Sequence, residues 1–234
     1  MRTLYLRKMI SLTLAAMAFI GIHLGVSGTL LRDQIVSRIG LRSYMVLFSV
    51  ASVAAIIWLI SAYTAAEYVP TWGQLQWWKP VMIALMLPAF LLVVIGLTTP
   101  NPTSVAQEAL VDRPPQGIVR ITRHPFLMGV ALWSGLHLIG NGDVASLLFF
   151  AALAIVAVAG TASIDAKRRR VLGAAAWDVF ASRTSIVPFA AIAAGRNRLM
   201  MGEMGWWRPA AGLGAYALML GGHAHIVGVS PWPA

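Results

Sequence analysis

The stretch ITRHPFLMGVALWSGLHLIGNGD, residues 121–143, joins a basic segment that ends in a proline to an apolar run and a polar turn. Pro125 fits the first turn of a helix, where its missing N–H breaks no hydrogen bond. The tripeptide Asn-Gly-Asp at 141–143 is typical of a tight turn, and a second apolar run follows it directly. The stretch therefore predicts a helical hairpin that holds His137 inside an apolar segment.

The rest of the chain is of the same kind. It is 59% hydrophobic and 11% charged, whereas soluble domains carry roughly 25% charged residues. Apolar runs long enough for membrane helices lie near 9–30, 43–65, 81–99, 124–139, 143–163 and 208–227. The sequence predicts an all-α polytopic membrane helix bundle of about six transmembrane helices, in a single domain that covers 1–234.

The net charge of +10 does not indicate nucleic-acid binding in so apolar a chain. Basic residues gather in the loops near 31–42, 100–123 and 165–207, which lie on one side of a six-helix arrangement. By the positive-inside rule that side is cytoplasmic, and the expected location is the inner membrane of a bacterium. The run Lys167 to Arg170 opens the third loop and predicts an interfacial helix on anionic lipid headgroups. The lipid bilayer is thus the expected partner, and the sequence identifies no protein partner.

Histidine is the residue type that points to chemistry. The chain has no cysteine, which excludes disulfides, iron–sulfur clusters and thiolate-ligated haem. Its histidines are His23, His124, His137, His223 and His225, and all except His124 lie inside apolar runs. Ionisable residues within a membrane span are costly and usually mark a functional site. The alternative is a neutral imidazole that bonds a neighbouring helix carbonyl.

The spacing of these histidines along the predicted helices limits which of them can bind the same metal ion. His124 and His137 are about 20 Å apart along a helix and roughly 220° around it, so they cannot bind one metal ion. His223 and His225 point to nearly opposite faces, and at most one of them looks into a bundle. Haem needs only one or two imidazoles and apolar walls, and His137 is the firmest single candidate ligand.

Arg123 and His124 have a different character, since they precede the proline at the level of the lipid headgroups. They can anchor the helix to headgroups. They can also bind an anionic or carboxylate-bearing small molecule, because arginine binds such groups through two parallel hydrogen bonds.

Longer stretches carry a family resemblance. GIHLGVSGTLLRDQIVSRIGLRSYMVLFSVASV, ITRHPFLMGVALWSGLHLIGNGDVASLLFF and DAKRRRVLGAAAWDVFASRTSIVPF resemble the NnrU family of bacterial membrane proteins. The family is associated with nitrite and nitric oxide reduction, and it includes the 15-cis-zeta-carotene isomerases. The resemblance implies haem b held by two histidines that correspond to His23 and His137. The isomerases have Ser-Gly-Leu-Ala after the first histidine, where this chain has Leu-Gly-Val-Ser at 24–27.

Two histidines that bind one haem must lie at the same level across the membrane. In the six-helix arrangement the levels of His23 and His137 differ by roughly 10 Å, from the rise per residue. Geometry alone would therefore pair His137 with His223 or His225 just as readily.

A more distant resemblance covers residues 117–189, which are similar to isoprenylcysteine-type and phospholipid methyltransferases. The shared features are the Arg-His-Pro motif and an acidic residue before a basic helix. The resemblance implies an S-adenosylmethionine site that involves Arg123, His124 and Asp165. Trp177 and Phe180 stand where those enzymes have tyrosines.

Four functions follow as expectations. The first is a haem b-binding membrane protein linked to nitrite and nitric oxide metabolism or to redox control. The second is a cis–trans isomerase of zeta-carotene or a related polyene, which is the expected activity if the chain is an enzyme. The third is an S-adenosylmethionine-dependent membrane methyltransferase. The fourth is a non-catalytic membrane scaffold in which the histidines only join helices.

Overall fold

Helices dominate the computed structural model, which describes residues 2–233 apart from the side chains of Arg2 and Leu4. The α-helices are α1 (Arg2–Ile20), α2 (Leu30–Ile39), α3 (Leu41–Ala65), α4 (Lys79–Thr98), α5 (Pro125–Asn141), α6 (Val144–Leu172), α7 (Ala174–Ser182), α8 (Ala190–Ala193) and α9 (Trp207–Val227). A π-helical turn, Gly21–Val26, extends α1. The predicted all-α class is confirmed.

Within the described part of the chain, five helical segments are long and apolar enough to cross a membrane: Tyr5–Val26, Leu41–Ala65, Gln76–Thr98, Val144–Leu172 and Trp207–Val227. The segment near 124–139, expected as a further span, is helical as α5 but has only 17 residues. At 1.5 Å per residue it is about 26 Å long, short of the roughly 30 Å hydrocarbon layer. The prediction of about six spans thus becomes five spans and one short helix.

The basic run after the fifth apolar segment is where the sequence-based boundaries were wrong. The fifth span was expected to end near residue 163, with an interfacial helix at the basic run Lys167 to Arg170, but α6 continues to Leu172 and α7 begins only at Ala174. Arg168 lies in the last turns of α6 and is buried, with 4% of its surface exposed. Its guanidinium binds Glu108 and donates to the Ser104 carbonyl oxygen at 2.6 Å. The basic run is therefore partly a packed helix face.

The fold divides into two compact units, each made of two separate stretches of the chain. Unit 1 consists of Met1–Leu75 and Ser134–Ser163, and unit 2 of Gln76–Trp133 and Ile164–Ala234. The helices α5 and α6 each run from one unit into the other.

In unit 1, α1 packs between α3 and α6. It is antiparallel to α3, because Trp58 Nε1 donates to Ser11 Oγ at 3.1 Å while His23 meets Phe48 near the other end. It is parallel to α6, since Gly28 beyond its π-helical turn lies directly against the Ser163 side chain near the end of the α6 part of the unit.

The predicted hairpin turn is confirmed. Gly142 has φ +58°, a left-handed conformation that glycine adopts without strain. Its carbonyl accepts hydrogen bonds from the backbone N–H groups of Thr71 and Gly73 at 2.8 and 3.0 Å. The loop after α3 thus closes over the turn between α5 and α6.

In unit 2, α4 packs against α9, and the start of α5 packs against α4. Tyr216 Oη of α9 donates to the Ile83 carbonyl of α4 at 2.9 Å. The segments between the long helices form their own apolar core, which comprises Ile95, Val111, Ile118, Val119, Ile121, Trp177, Phe180 and Met204. This core holds the Arg-His-Pro segment in place at the start of α5.

Candidate functional sites

His23 sits in the π-helical turn that extends α1. Its Nδ1 donates to the Phe19 carbonyl at 2.8 Å. Its ring lies 4.3 Å from the Phe19 ring and 5.6 Å from the Phe48 ring, centroid to centroid. Metal-binding histidines commonly donate one ring N–H to a backbone carbonyl, which leaves the other nitrogen unprotonated. Such π-helical turns are frequent at functional sites.

An apolar cleft of about 400 Å³ lies between α1 and α6 in unit 1. Its lining consists of Thr13, Ala16, Met17, Ile20, Val144, Leu147, Leu148, Ala151, Ala152 and Ile155. Ile20 lies three residues before His23 in the sequence, but His23 is not among the residues that line the cleft, and its ring faces Phe48 of α3. A cleft with one hydroxyl among apolar walls suits a hydrocarbon ligand.

His137 lies on α5 and stacks on the Phe150 ring of α6, with centroids 4.7 Å apart and planes inclined by 18°. Phe150 in turn meets the edge of Tyr63 at 6.1 Å. His137 therefore belongs to an aromatic cluster of α3, α5 and α6, while His23 belongs to one of α1 and α3.

The register of α1 against α6 indicates how far apart His23 and His137 lie along the helices. Gly28 and Ser163 fix the register of α1 against α6. Phe150, beside His137, lies 13 residues before Ser163 and so roughly 20 Å down α6. His23 lies only five residues before Gly28, at most roughly 7 Å. These spacings put the backbones of His23 and His137 at levels about 12 Å apart along the helices. The pairing of the two imidazoles on one haem iron stays a prediction.

The other two histidines lie in unit 2, near the end of α9. His223 Nδ1 donates to the Val229 carbonyl at 2.7 Å, which ties the chain after α9 back onto the helix. His225 is exposed. A pairing of either one with His137 stays a prediction. Across residues 2–233 no group of three or more histidine and acidic side chains is arranged to hold a metal ion.

Arg123, His124 and Asp165 form a buried cluster in unit 2, so the structure joins these three predicted site residues. Asp165 Oδ2 accepts from Arg123 Nε at 2.9 Å and Nη2 at 2.5 Å. Asp165 Oδ1 lies 2.7 Å from His124 Nε2. Burial lowers the pKa of His124, and this outweighs the Asp165 carboxylate, which raises it. The imidazole is therefore neutral near pH 7 and donates Nε2–H to Asp165.

The backbone of the same segment is also held from several loops. The Arg123 carbonyl accepts from Asn101 Nδ2 at 2.9 Å and from Thr103 Oγ1 at 2.8 Å. Thr122 Oγ1 donates to the Ile186 carbonyl at 2.6 Å. Sequence reasoning missed Asn101 and Thr103, although an Asn-Pro-Thr turn directly after an apolar span is a signal for such a contact.

A second ion pair missed from the sequence lies just before this cluster. Arg120 donates from Nε to Glu203 Oε2 at 2.7 Å and from Nη2 to Oε1 at 2.8 Å. Glu203 also accepts from the Gly117 N–H at 2.8 Å. The Arg120 guanidinium holds the pKa of Glu203 below its ordinary value. The partners are 83 residues apart, and no local pattern links them.

The charges of the Arg123–His124–Asp165 cluster neutralise one another, and both carboxylate oxygens are occupied. The cluster therefore holds the start of α5, and the Asp165 carboxylate has no oxygen left without a partner for a ligand. An S-adenosylmethionine site at these residues stays a prediction.

The fold and the sites together define an all-helical integral membrane protein with an apolar cleft between two of its long helices. The chain belongs to the NnrU protein family, whose pattern matches residues 11–231, and this confirms the resemblance. It is 29% identical over 195 residues to the chloroplastic 15-cis-zeta-carotene isomerase of Zea mays, covering 80% of this chain and 51% of the isomerase. It is 30% identical over 204 residues to that of Arabidopsis thaliana, covering 81% and 52%.

The chain spans about half the length of these curated relatives. No solved structure matches it. The comparisons therefore support a family and a membrane fold, and they name an activity for relatives that are larger than this chain.

Proposed function

We propose that the chain binds an extended polyene in the cleft between α1 and α6 and catalyses cis–trans isomerisation of one of its double bonds. The observation that carries the proposal is the cleft itself, with its apolar lining between two long helices. The matched relatives, which are named 15-cis-zeta-carotene isomerases, support the same class of substrate. Arg120 Nη1 donates to Asn197 Oδ1, so the basic loops before α5 and after α6 lie on the same side of the membrane, and α5 crosses back between them although it is short. By the positive-inside rule we place that side in the cytoplasm of a bacterial inner membrane.

The chemistry is redox-neutral, because no atom is gained or lost when a double bond rotates. Rotation requires that π overlap be lost at one bond in the transition state, so an isomerase must bind the twisted polyene more tightly than the planar one. Rigid helices on both sides of the cleft can impose that shape.

Blocking the cleft tests the proposal. In a host that accumulates 15-cis-zeta-carotene, expression of the chain should convert that isomer, as measured by chromatography of extracted pigments. Ala151 lines the cleft, so A151F should reduce conversion about tenfold or more, since an aromatic ring fills space that the substrate needs. Ala54 is exposed on α3, and A54F adds the same ring there and should convert normally. Absence of conversion by the unaltered chain, or equal conversion by both variants, would contradict the proposal.

Haem b is a second candidate, as a cofactor of the isomerase or as the centre of a nitric oxide or redox protein. The offset inferred between His23 and His137 favours one histidine ligand over the pair. His23 would be that ligand through its Nε2, because its Nδ1–H is bound by the Phe19 carbonyl. When bound, the group would supply a redox-active iron. The protein's own contribution is the fixed tautomer and the neighbouring rings of Phe19 and Phe48.

Absorption spectroscopy of protein purified from haem-replete cells tests this assignment. We expect a Soret band that is lost in H23A and retained, with at most a small shift, in H137A. Folding of both variants is checked by circular dichroism, because each removes a packed ring. Loss of the band only in H137A would assign the ligand to α5 instead, and a colourless unaltered protein would remove haem from the account.

A further inference from the structure

Unit 2 contains a basic pocket of about 280 Å³ that none of the functions above uses. Its lining consists of Pro114, Pro115, Arg120, Arg183, Gly195, Arg196, Asn197, Arg198 and Met200. None of these residues is acidic, and arginine is the commonest type among them. The pocket therefore concentrates positive charge outside the spans.

Most of this charge is not neutralised by the protein. Glu203 pairs with Arg120, but no carboxylate between residues 2 and 233 forms an ion pair with Arg183, Arg196 or Arg198. The Arg196 guanidinium donates only to the carbonyls of Ser182 and Thr184. Like charges that line one pocket repel one another, so an anion in the pocket would relieve the repulsion.

The pocket is rigidly built around the buried side chain of Asn197. Its Oδ1 accepts from Arg120 Nη1 and from the Arg198 N–H, both at 2.8 Å. Its Nδ2 donates to the Arg183 carbonyl at 2.8 Å. One amide thus binds three of the arginines that line the pocket, one through its side chain and two through their backbones. The amide thereby fixes where the chain carries Arg183 and Arg198 at the pocket, and it orients the side chain of Arg120.

The number and type of the charges indicate phosphate. Arginine's planar fork matches phosphate oxygens, and three unpaired guanidiniums exceed what one carboxylate can satisfy. Met200 lines the pocket, and the residues that follow expose large apolar side chains: Met201 is 61% and Trp206 84% exposed. Trp207 begins a membrane-spanning segment, and tryptophan is enriched at membrane interfaces.

From these observations we propose that this pocket binds a phosphate-bearing anion, either the phosphate of an anionic phospholipid or free inorganic phosphate. The site is independent of the polyene cleft. Its free ligands are Arg183, Arg196 and Arg198, and Arg120 completes the wall while bound to Glu203.

Ligand-dependent thermal unfolding of the detergent-solubilised full chain tests the proposal, since a ligand that binds only the folded state raises the unfolding midpoint. The additions are phosphatidylglycerol, phosphatidylcholine as the zwitterionic control, and sodium phosphate against sodium chloride at equal ionic strength. The test variant is R183Q/R198Q, because neither side chain has a hydrogen-bond partner among residues 2–233 and the fold should be retained. The matched variant R38Q/R42Q removes two exposed arginines of unit 1.

We expect a saturable rise for the unaltered chain and for R38Q/R42Q, with affinity reduced about tenfold or more in R183Q/R198Q, since this variant removes two charged donors from the site. A rise with phosphatidylglycerol alone identifies the lipid as the source, and a rise with sodium phosphate as well identifies free phosphate. No saturable rise with either, or equal responses of the two double variants, would overturn the proposal.

Discussion

Replacing Asp165 by asparagine is expected to lower the free energy of unfolding by about 3–5 kcal/mol, the usual effect of removing one partner from a buried ion pair. The side chain of Arg123 is only 12% exposed and that of Asp165 15%. The asparagine would keep the shape but leave the guanidinium buried without a counter-charge. His124, 1% exposed, would also lose its anionic acceptor.

A neighbouring aspartate provides the control for this variant. Asp178 pairs with Arg169 through two hydrogen bonds of 2.9 Å, but both side chains are more than half exposed. Exposed ion pairs contribute little to stability, so D178N should unfold close to the unaltered chain. Denaturant titrations of the purified proteins measure both changes. Equal stability of D165N and D178N would show that the buried cluster does not hold the start of α5.

Replacing Gly129 by leucine is the second change with a large expected effect. A Cβ at this position would lie 2.6 Å from Val93 Cγ2 and 2.8 Å from the Ala89 carbonyl oxygen. Because the second contact is with backbone, α5 must move away from α4. Overpacking of this kind costs about 1–3 kcal/mol, and more where backbone blocks relaxation, so we expect loss of about 3 kcal/mol or failure to accumulate in the membrane.

Gly135, on the same helix, is the matched position. A Cβ there would have no atom within 4 Å, so G135L should accumulate as the unaltered chain does. Membrane yield and unfolding midpoint measure the contrast. Comparable yields for G129L and G135L would contradict the close approach of α4 and α5.

Much of the fold was predictable because its signals are local. Membrane helices follow from hydropathy, and the turn at Gly142 follows from the chemistry of Asn-Gly-Asp. The length of α6 was not predictable, because its last turns are held by Arg168 and the distant loop residues Ser104 and Glu108. Local pattern alone cannot report such tertiary contacts.

The site residues also divide into those that a local motif indicates and those that only tertiary contacts bring together. The Arg-His-Pro motif is visible in the sequence, but the link between Arg123 and Asp165 came from a resemblance, and that between Arg120 and Glu203 was missed. The level of His23 relative to His137 depends on how α1 and α6 are registered, which residue spacing within one helix does not fix.

The central claim is that the cleft between α1 and α6 is where a polyene is isomerised. Its most direct test is the isomer ratio of 15-cis-zeta-carotene after incubation in the dark with purified unaltered protein, A151F or A54F. The account predicts a shift to the trans isomer at the central bond with the unaltered protein and A54F, and a ratio close to the protein-free control with A151F. An unchanged ratio with the unaltered protein, or a full shift with A151F, would contradict it.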